Sequence, residues 1–380
     1  MDACDVLIVG GGPAGSSCAW KLRGSGLNVA ILDRHVFPRD KVCGGWITPE
    51  VLSQLKIDPA DYEPEHVLQT ITAFRTGCIQ ASASEDSAVQ TDYRAVVSYG
   101  IRRREFDHYL LQRSGARLIQ GVNLTSLERS GEHWIANAQI RARVVVGAGG
   151  HFCPVARLTA AKPKPESVVV AQEAEFEMDA SQIAGCRVQP ETPELYFCPD
   201  MKGYGWCFRK RNFLNIGLGR MDPHRLSDHV SRFLGFLKST GRISFGLPAS
   251  MCGHAYLLYG RSPRKLVQDG LLLIGDAAGL AYPQSGEGIL PAVESGLLAA
   301  QTILAASGTF SREQLSAYPE LLRRRFGSSS EHWATRLGRR LPAGVIRALS
   351  HPLLTSPWFA RQVLLDRWFL HTGQMAFPPA

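Results

Sequence analysis

Gly10, Gly12 and Gly15 stand in G-x-G-x-x-G register inside "VLIVGGGPAG". The apolar run Cys4 to Val9 precedes them, and Pro13 to Leu27 follows with small and apolar residues at helical spacing, so a strand-to-helix turn is expected. In such a turn Gly10 permits the tight bend, Gly12 lets the backbone approach a pyrophosphate, and Gly15 lets helix pack on strand. The helix N-terminus, with Pro13 and Ala14 in its first turn, offers unpaired N–H groups to an anion. "NVAILD" reads as a second buried strand ending at Asp33, about 20 residues on, where a carboxylate accepts hydrogen bonds from ribose hydroxyls. Arg34, next in sequence, is counted with it. The set describes a dinucleotide site and leaves NAD and FAD open.

A second motif makes the choice. "IGDAAGLAYPQSGEGILPAVESG" places Gly275 and Asp276 at the C-terminal end of a strand, then a proline and glycines opening a helix. Asp276 can hold a ribityl hydroxyl, and N–H groups from Gly286 through Gly288 to Ile289 can stabilise negative charge on a reduced flavin. The same residues also suit a plain strand-to-helix turn with a cap. Two distant motifs converging on one elongated cofactor point to FAD.

These side chains need elements to hold them. Strand, glycine turn, helix and strand make a βαβ unit, which implies a parallel sheet with right-handed crossovers. Residues 34 to 65 read as an irregular excursion marked by prolines at 38, 49, 59 and 64, and "RREFDHYLLQRSGA" gives a helix with Phe106, Tyr109 and Leu110 on one side. "LTSLERS" and "HWIANA" predict a hairpin inserted before "ARVVVGAGG" returns to the parallel sheet. From Ser167 the runs "VVVAQEAEFEM", "ELYFC", "GWCF", "FLNIGLG" and "AYLLYG" fit a largely antiparallel sheet, with a helix near "DHVSRFLGFLKST". The fold class is therefore α/β: a Rossmann-like domain from residues 1–166 and 262–310, discontinuous in sequence, and a second lobe from 167–261. A C-terminal helical region covers 311–380, and "KPKPE" at 162–166 looks like a linker.

With 42 Lys and Arg against 34 Asp and Glu, the formal charge of the 380-residue chain is +8. Its basic residues form short clusters of the kind that line solvated faces, so no nucleic-acid partner is expected. An anionic cofactor suits the excess better, as does peripheral contact between an acidic membrane and the basic residues at 322 to 340. Nine cysteines without regular spacing imply reduced thiols, and neither a CxxC pair nor a histidine cluster suggests a metal. The N-terminus lacks a signal-peptide pattern, and the most apolar late segment is interrupted by Glu294, so a cytoplasmic protein is expected.

The quoted motifs, with "KVCGGWITP", "IRRREFDHYL", "VVGAGGHFCPVAR" and "KGYGWCFRKRNFLNIGLG", resemble those of the geranylgeranyl reductase family of FAD-dependent oxidoreductases. That family sits in a larger group with p-hydroxybenzoate hydroxylase-like monooxygenases and flavin-dependent halogenases. The likeness runs from residue 1 to about 305. It implies a p-hydroxybenzoate hydroxylase-like fold with Ala14, Asp33, Cys43, Gly44, Arg103, Val122, Asp276, Gly288 and Ile289 against FAD. Arg103 would pair with phosphate or adenine-side polar groups, although Arg102 and Arg104 compete for that position. The K-x-C-G-G loop would pass beside the flavin, with Gly44 and Gly45 small because ring and backbone approach closely.

Cys43 is thus the catalytic candidate, a thiol able to assist proton delivery; its alternative is a small buried residue. Trp46 would wall the substrate cavity or belong to the core. Tyr204, Trp206 and Phe208, at spacing two, would line an apolar pocket or form the ordinary inward face of a sheet. Arg209 replaces a family proline and is expected to alter the pocket edge. Gly149 replaces the aspartate of the monooxygenase A-D-G pattern, and the halogenase pattern W-x-W-x-I-P is absent. The C-terminal "LLTSPWFARQVLLDRWFLHTGQMAF" offers Phe359, Val363, Leu364, Trp368 and Phe369, to close over the cavity, to rest on a membrane or simply to pack.

The resemblance implies reduction of C=C bonds in a lipophilic, isoprenoid-like small molecule by hydride from reduced flavin. Hydroxylation or epoxidation of an apolar aromatic or polyene by a monooxygenase is the alternative, and a non-catalytic electron or FAD carrier the third reading. The electron donor, NAD(P)H or a reduced carrier, stays open.

Overall fold

The computed structural model describes residues 1–80, 87–161, 166, 168–222, 224–247, 250–261, 264–327, 344, 351–374 and 377. Residues 162–165 of the linker-like stretch and 328–340 of the basic stretch lie outside the described residues.

Five strands run parallel in the spatial order Leu271–Leu273, Ile140–Gly147, Asp2–Val9, Val29–Asp33 and Arg117–Gln120. Val6 to Ile8, Val144 to Val146 and Leu271 to Leu273 are completely buried, the continuous apolar run that a parallel sheet covered on both faces requires. Burial of each such side chain contributes about 1.5–3 kcal/mol. The hairpin expected before the return strand is present: Leu127–Ser130 and His133–Ala136 pair with each other and then with Ile140–Gly147.

The helix Pro13–Leu22 packs against the long helix Ile289–Ala305, and the crossing is made of small residues. A Cβ on Gly296 would overlap the Ala14 carbonyl and stand 3.1 Å from the Cys18 nitrogen. The two backbones therefore touch, which holds the glycine turns that open both helices in one fixed relation.

The second sheet has seven strands, in the order Cys252–Tyr256, Val169–Glu177, Phe213–Arg220, Gly203–Lys210, Glu194–Phe197, Ala73–Cys78 and Val89–Asp92. Every pairing is antiparallel except that of Glu194–Phe197 with Ala73–Cys78. One face is closed by Phe233, Phe236 and Leu237 of the helix Leu226–Ser239. The strands 73–78 and 89–92 come from the stretch that the sequence division gave to the first lobe. Their partner strand lies more than a hundred residues away, so local patterning carries no sign of the pairing.

The excursion at 34–65 is more regular than its prolines suggest. Pro49 and Pro59 each begin a helix, Pro49–Gln54 and Pro59–Tyr62, at the position where a missing N–H is harmless. Trp46–Ile47 pairs with Ser98–Ile101, which pairs in turn with Leu68–Ile71.

Near the C-terminus, Ala360–Phe369 is a π-helix. Leu364, Leu365, Phe369 and Leu370 are buried against Trp46, Phe74, Trp206 and Phe208 of the second lobe. The wider turn puts residues five apart on one face, which is why Leu365 is buried while Val363 is only partly covered. Among the described residues, no helix is long and apolar enough to cross a membrane.

Gly296→Val tests the helix crossing: the added side chain forces the backbones apart. Thermal or denaturant unfolding should show a loss of about 1–3 kcal/mol, together with weaker retention of whatever the paired turns hold.

Candidate functional site

The glycine turn opens onto a cavity of about 760 Å3 between the parallel sheet and the second sheet. Gly10 adopts φ +117°, and a Cβ there would overlap the Ala148 carbonyl. A Cβ on Gly15 would overlap the Gly10 carbonyl, so Gly15 serves packing and does not line the cavity. Gly12, Pro13 and Ala14 do line it, and the nearest atom to a Cβ on Gly12 is Arg39 Nη2 at 3.5 Å. Asp33 is fixed by two backbone donors: Gly11 N–H to Oδ2 at 2.7 Å and His35 N–H to Oδ1 at 2.8 Å. Arg34 and Val122 line the same end.

The second turn arrives opposite the first. Gly275 donates its N–H to Ser295 Oγ at 2.9 Å, and a Cβ there would stand 2.9 Å from the Ala14 Cβ. It joins the two turns without lining the cavity, whereas Asp276, Gly286, Gly288 and Ile289 line it. Gly286 adopts φ +72° with the Tyr256 hydroxyl packed against it.

Of the three adjacent arginines, Arg103 faces the cavity; it holds Asp107 through Nε at 2.7 Å and Nη2 at 2.8 Å. Arg102 pairs with Glu105 and lies over the Phe213 ring, and Arg104 reaches the exposed Asp40.

Cys43 lines the cavity in a loop held by the second sheet. Its N–H donates to Glu173 Oε1 at 2.6 Å, and its carbonyl accepts from Asn215 Nδ2 at 3.1 Å. A Cβ on Gly44 would lie 3.3 Å from the Phe208 ring and 3.4 Å from Trp206 Nε1. At Gly45 a Cβ would overlap the Ile101 carbonyl and the Lys210 ammonium. Gly44 and Gly45 are thus also crowded by the protein's own aromatic, backbone and lysine neighbours, most closely at Gly45, while both line the cavity.

Trp46, Tyr204, Trp206 and Phe208 all line the cavity and are joined by Phe369 from the C-terminal segment. Ring centroids lie 5.7 Å apart for Trp46 and Phe369 and 5.5 Å for Tyr204 and Phe369. The Tyr204 hydroxyl donates to the Ser285 carbonyl, and the Trp206 indole N–H donates to Asn215 Oδ1 at 2.7 Å. Arg209, expected at the pocket edge, donates instead to the Arg211 carbonyl at 3.0 Å and does not line the cavity.

Several functional residues escape sequence reasoning. Lys41 Nζ lies 2.9 Å from His254 Nε2, which is 3.9 Å from Asp276 Oδ2. Burial, with Arg103 nearby, lowers the Lys41 pKa to about 8, and burial likewise lowers that of His254. For Asp276, burial works upward but His254, Lys41 and Arg103 outweigh it, so its pKa falls. Glu287 also lines the cavity, and burial pushes its pKa up to about 8. Arg39 and Lys41, flanking the cysteine loop as "PRDKVCGG", were the visible signal; His254 carried none.

The residues present fit FAD. Arg39 is largely buried beside Gly12; its Nη2 lies 3.2 Å from Asp107 Oδ2, and among the described residues its Nη1 has no hydrogen-bond partner. A buried cation donor left unpaired at a helix N-terminus is what a pyrophosphate would satisfy.

Residues 3–331 match the family model described as FAD binding domain. A digeranylgeranylglycerophospholipid reductase of Methanocaldococcus jannaschii is 27% identical over 332 residues, 83% of this chain and 81% of that protein. A menaquinone reductase of Mycobacterium tuberculosis is 26% identical over 347 residues, 86% and 81% of the two chains. Among solved structures, a geranylgeranyl bacteriochlorophyll reductase-like protein from Thermoplasma acidophilum has a TM-score of 0.75 at 20% identity and covers 97% of both chains. A halogenase in complex with FAD has a TM-score of 0.67 at 19% identity, covering 84% of this chain and 74% of that one.

Arg39→Ala should weaken FAD binding by roughly 10- to 100-fold, the worth of one hydrogen bond to a charged group, about 1.5–3 kcal/mol. Fluorescence titration of the FAD-free protein measures it, with Arg104→Ala unchanged as the control. The paired glycine turns, the Arg39 donor and the match over most of the chain give one conclusion: this chain belongs to the FAD binding domain family and is a FAD-dependent oxidoreductase.

Proposed function

We propose that the protein reduces C=C bonds of a lipophilic, isoprenoid-like substrate. The observation that carries this reading is a single cavity with a polar, glycine-lined end and an aromatic end, meeting at Cys43. Gly12 and Arg39 would hold the pyrophosphate, Asp33 a ribose, Asp276 the ribityl chain, and Gly288 with Ile289 the pyrimidine edge of the flavin. FAD, once reduced, supplies a hydride to the substrate.

The remaining work falls to the chain's own groups. Trp46, Tyr204, Trp206, Phe208 and Phe369 exclude water and seat an apolar chain by area. The Tyr204 and Trp206 polar atoms are already spent on Ser285 and Asn215, so their rings present apolar faces. Lys41 and His254 beside Asp276 keep its carboxylate ionised as a hydrogen-bond acceptor. The names of the two relatives, a digeranylgeranylglycerophospholipid reductase and a menaquinone reductase, support an isoprenoid substrate. Gly149, where the hydroxylase pattern carries an aspartate, speaks against an oxygenase: a Cβ there would already lie 3.1 Å from Pro154 Cδ and 3.2 Å from Cys153 Cα.

The test is anaerobic. FAD-loaded protein reduced with dithionite is offered geranylgeraniol, and flavin reoxidation should accompany product heavier by one H2 per saturated double bond. Unchanged alkene under argon, with an oxygen-labelled product appearing only when labelled oxygen is admitted, would assign the protein to the monooxygenases instead.

A further inference from the structure

We propose that Glu173 stores the proton that completes the reduction, an inference that rests on the reductase reading above. The strand Val169–Glu177 turns alternate residues toward the cavity, and Ala171 and Glu173 both line it. Glu173 is only 4% exposed. Its Oε1 accepts the Cys43 N–H at 2.6 Å, and among the described residues its Oε2 has no hydrogen-bond partner within reach. A carboxyl group so placed stands at the junction of the two ends of the cavity, one hydrogen bond from the cysteine loop.

The contrast with Glu175, two residues along the strand, decides the assignment. Lys210 donates to Glu175 Oε2 at 2.7 Å, Arg102 lies 3.5 Å from Oε1, and Asn215 donates to Oε2 at 3.1 Å. Burial works against ionisation of Glu175, but Lys210, Asn215 and Arg102 overcome it and its pKa falls. Among the described residues no cation is paired to Glu173, and burial pushes its pKa up to about 7 despite the Cys43 N–H, the more distant Lys210 and the Asn215 amide. The charged and titratable groups facing it are Cys43 from the loop, Glu175 on its own strand, Lys210 across the sheet and Cys252 opposite it in the ladder. Lys41 and His254 lie further along the same wall. Neighbouring carboxyls whose environments push their pKa values apart take different roles: the ionised one supports, and the neutral one donates.

The step balances. One alkene carbon gains hydride, with its electron pair, from reduced FAD. The π pair at the other carbon takes the Glu173 proton, and the O–H bonding pair stays on the carboxylate. The cofactor loses two electrons, the alkene gains them, and solvent returns the proton to Glu173. Donation requires the protonated acid, so turnover is present at low pH and is lost as pH rises through about 7.

The first measurement needs no substrate. Infrared difference spectra between the FAD-loaded wild type and Glu173→Gln should show a protonated carboxyl that ionises near neutral pH in the wild type alone, beside the Glu287 carboxyl that both proteins keep; identical carboxyl titrations in the two proteins overturn the proposal. Then the dithionite-reduced enzyme is reoxidised by geranylgeraniol. Glu173→Gln, which keeps the acceptor for Cys43, should lower kcat by about 10²–10⁴-fold with KM little changed and should abolish the fall with pH, while Glu173→Asp restores part of the rate. A loss confined to KM or to thermal stability makes Glu173 a support for the cysteine loop and overturns the proposal. A wild type that shows the titrating carboxyl but saturates no alkene overturns the reductase reading instead.

Discussion

The contact between Gly296 and the Ala14 carbonyl fixes the geometry on which the site depends. Because no side chain separates the two helices there, they are held in one fixed relation, and the N-termini of both face one cavity. Each N-terminus carries a partial positive charge of roughly half an elementary unit. Arg39, Lys41 and Arg103 add to it; the buried Asp107 pairs with both arginines and Asp33 and Asp276 line the same cavity, so the excess rests mainly on Lys41 and the two helix ends. Such a concentration of positive potential is unfavourable until an anion fills it. The fold therefore carries a built-in preference for a dinucleotide across the two turns, and that preference follows from packing of alanine and glycine as much as from any charged residue.

Much of this was legible in the sequence because it is written locally. A glycine triplet between a strand and a helix constrains the backbone within a few residues, and the carboxylates at the ends of the two strands follow from the same register. Gly10, Gly12, Asp33, Asp276 and Gly288 accordingly stand around one cavity. Glu173 and His254 were not legible, since each acquires meaning only from a partner on another element, whereas Phe369 was legible as one apolar candidate of a segment that could close over the cavity. In "VVVAQEAEFEM" the inward-facing Glu173 looks like one more charge on a half-exposed strand. Its burial is decided by the cysteine loop, 130 residues earlier, that settles over it. The strands at 73–78 and 89–92 were missed for the same reason, and so was the π-helix, whose spacing reads in sequence as an imperfect amphipathic helix.

The second lobe answers a different constraint. Its sheet has one face for its own helix and one for the cavity, so the cavity face must be apolar enough to receive a substrate yet must also hold the loop that carries Cys43. The chain meets both demands by pairing polar groups beneath aromatic surfaces. Lys210, 1% exposed at its side chain, is buried against Glu175, and Asn215 links that pair to the loop. A buried charge left alone there would be strongly destabilising, whereas a satisfied network gives the loop one position.

This arrangement couples the pocket wall to the chemistry. Trp206 presents its ring to the cavity while its indole N–H holds Asn215, and Asn215 in turn holds the Cys43 carbonyl. The size of the apolar pocket and the placement of Cys43 and Glu173 are therefore not independent variables. A smaller residue at 206 would enlarge the cavity but leave the Asn215 oxygen without its donor and loosen the loop beside the reacting bond. Phe369 has no such attachment: it closes the same pocket through ring contacts with Trp46 and Tyr204. Changes of substrate size can consequently be absorbed at the C-terminal segment without disturbing the loop, whereas the aromatic strand itself is bound to the geometry of the reaction.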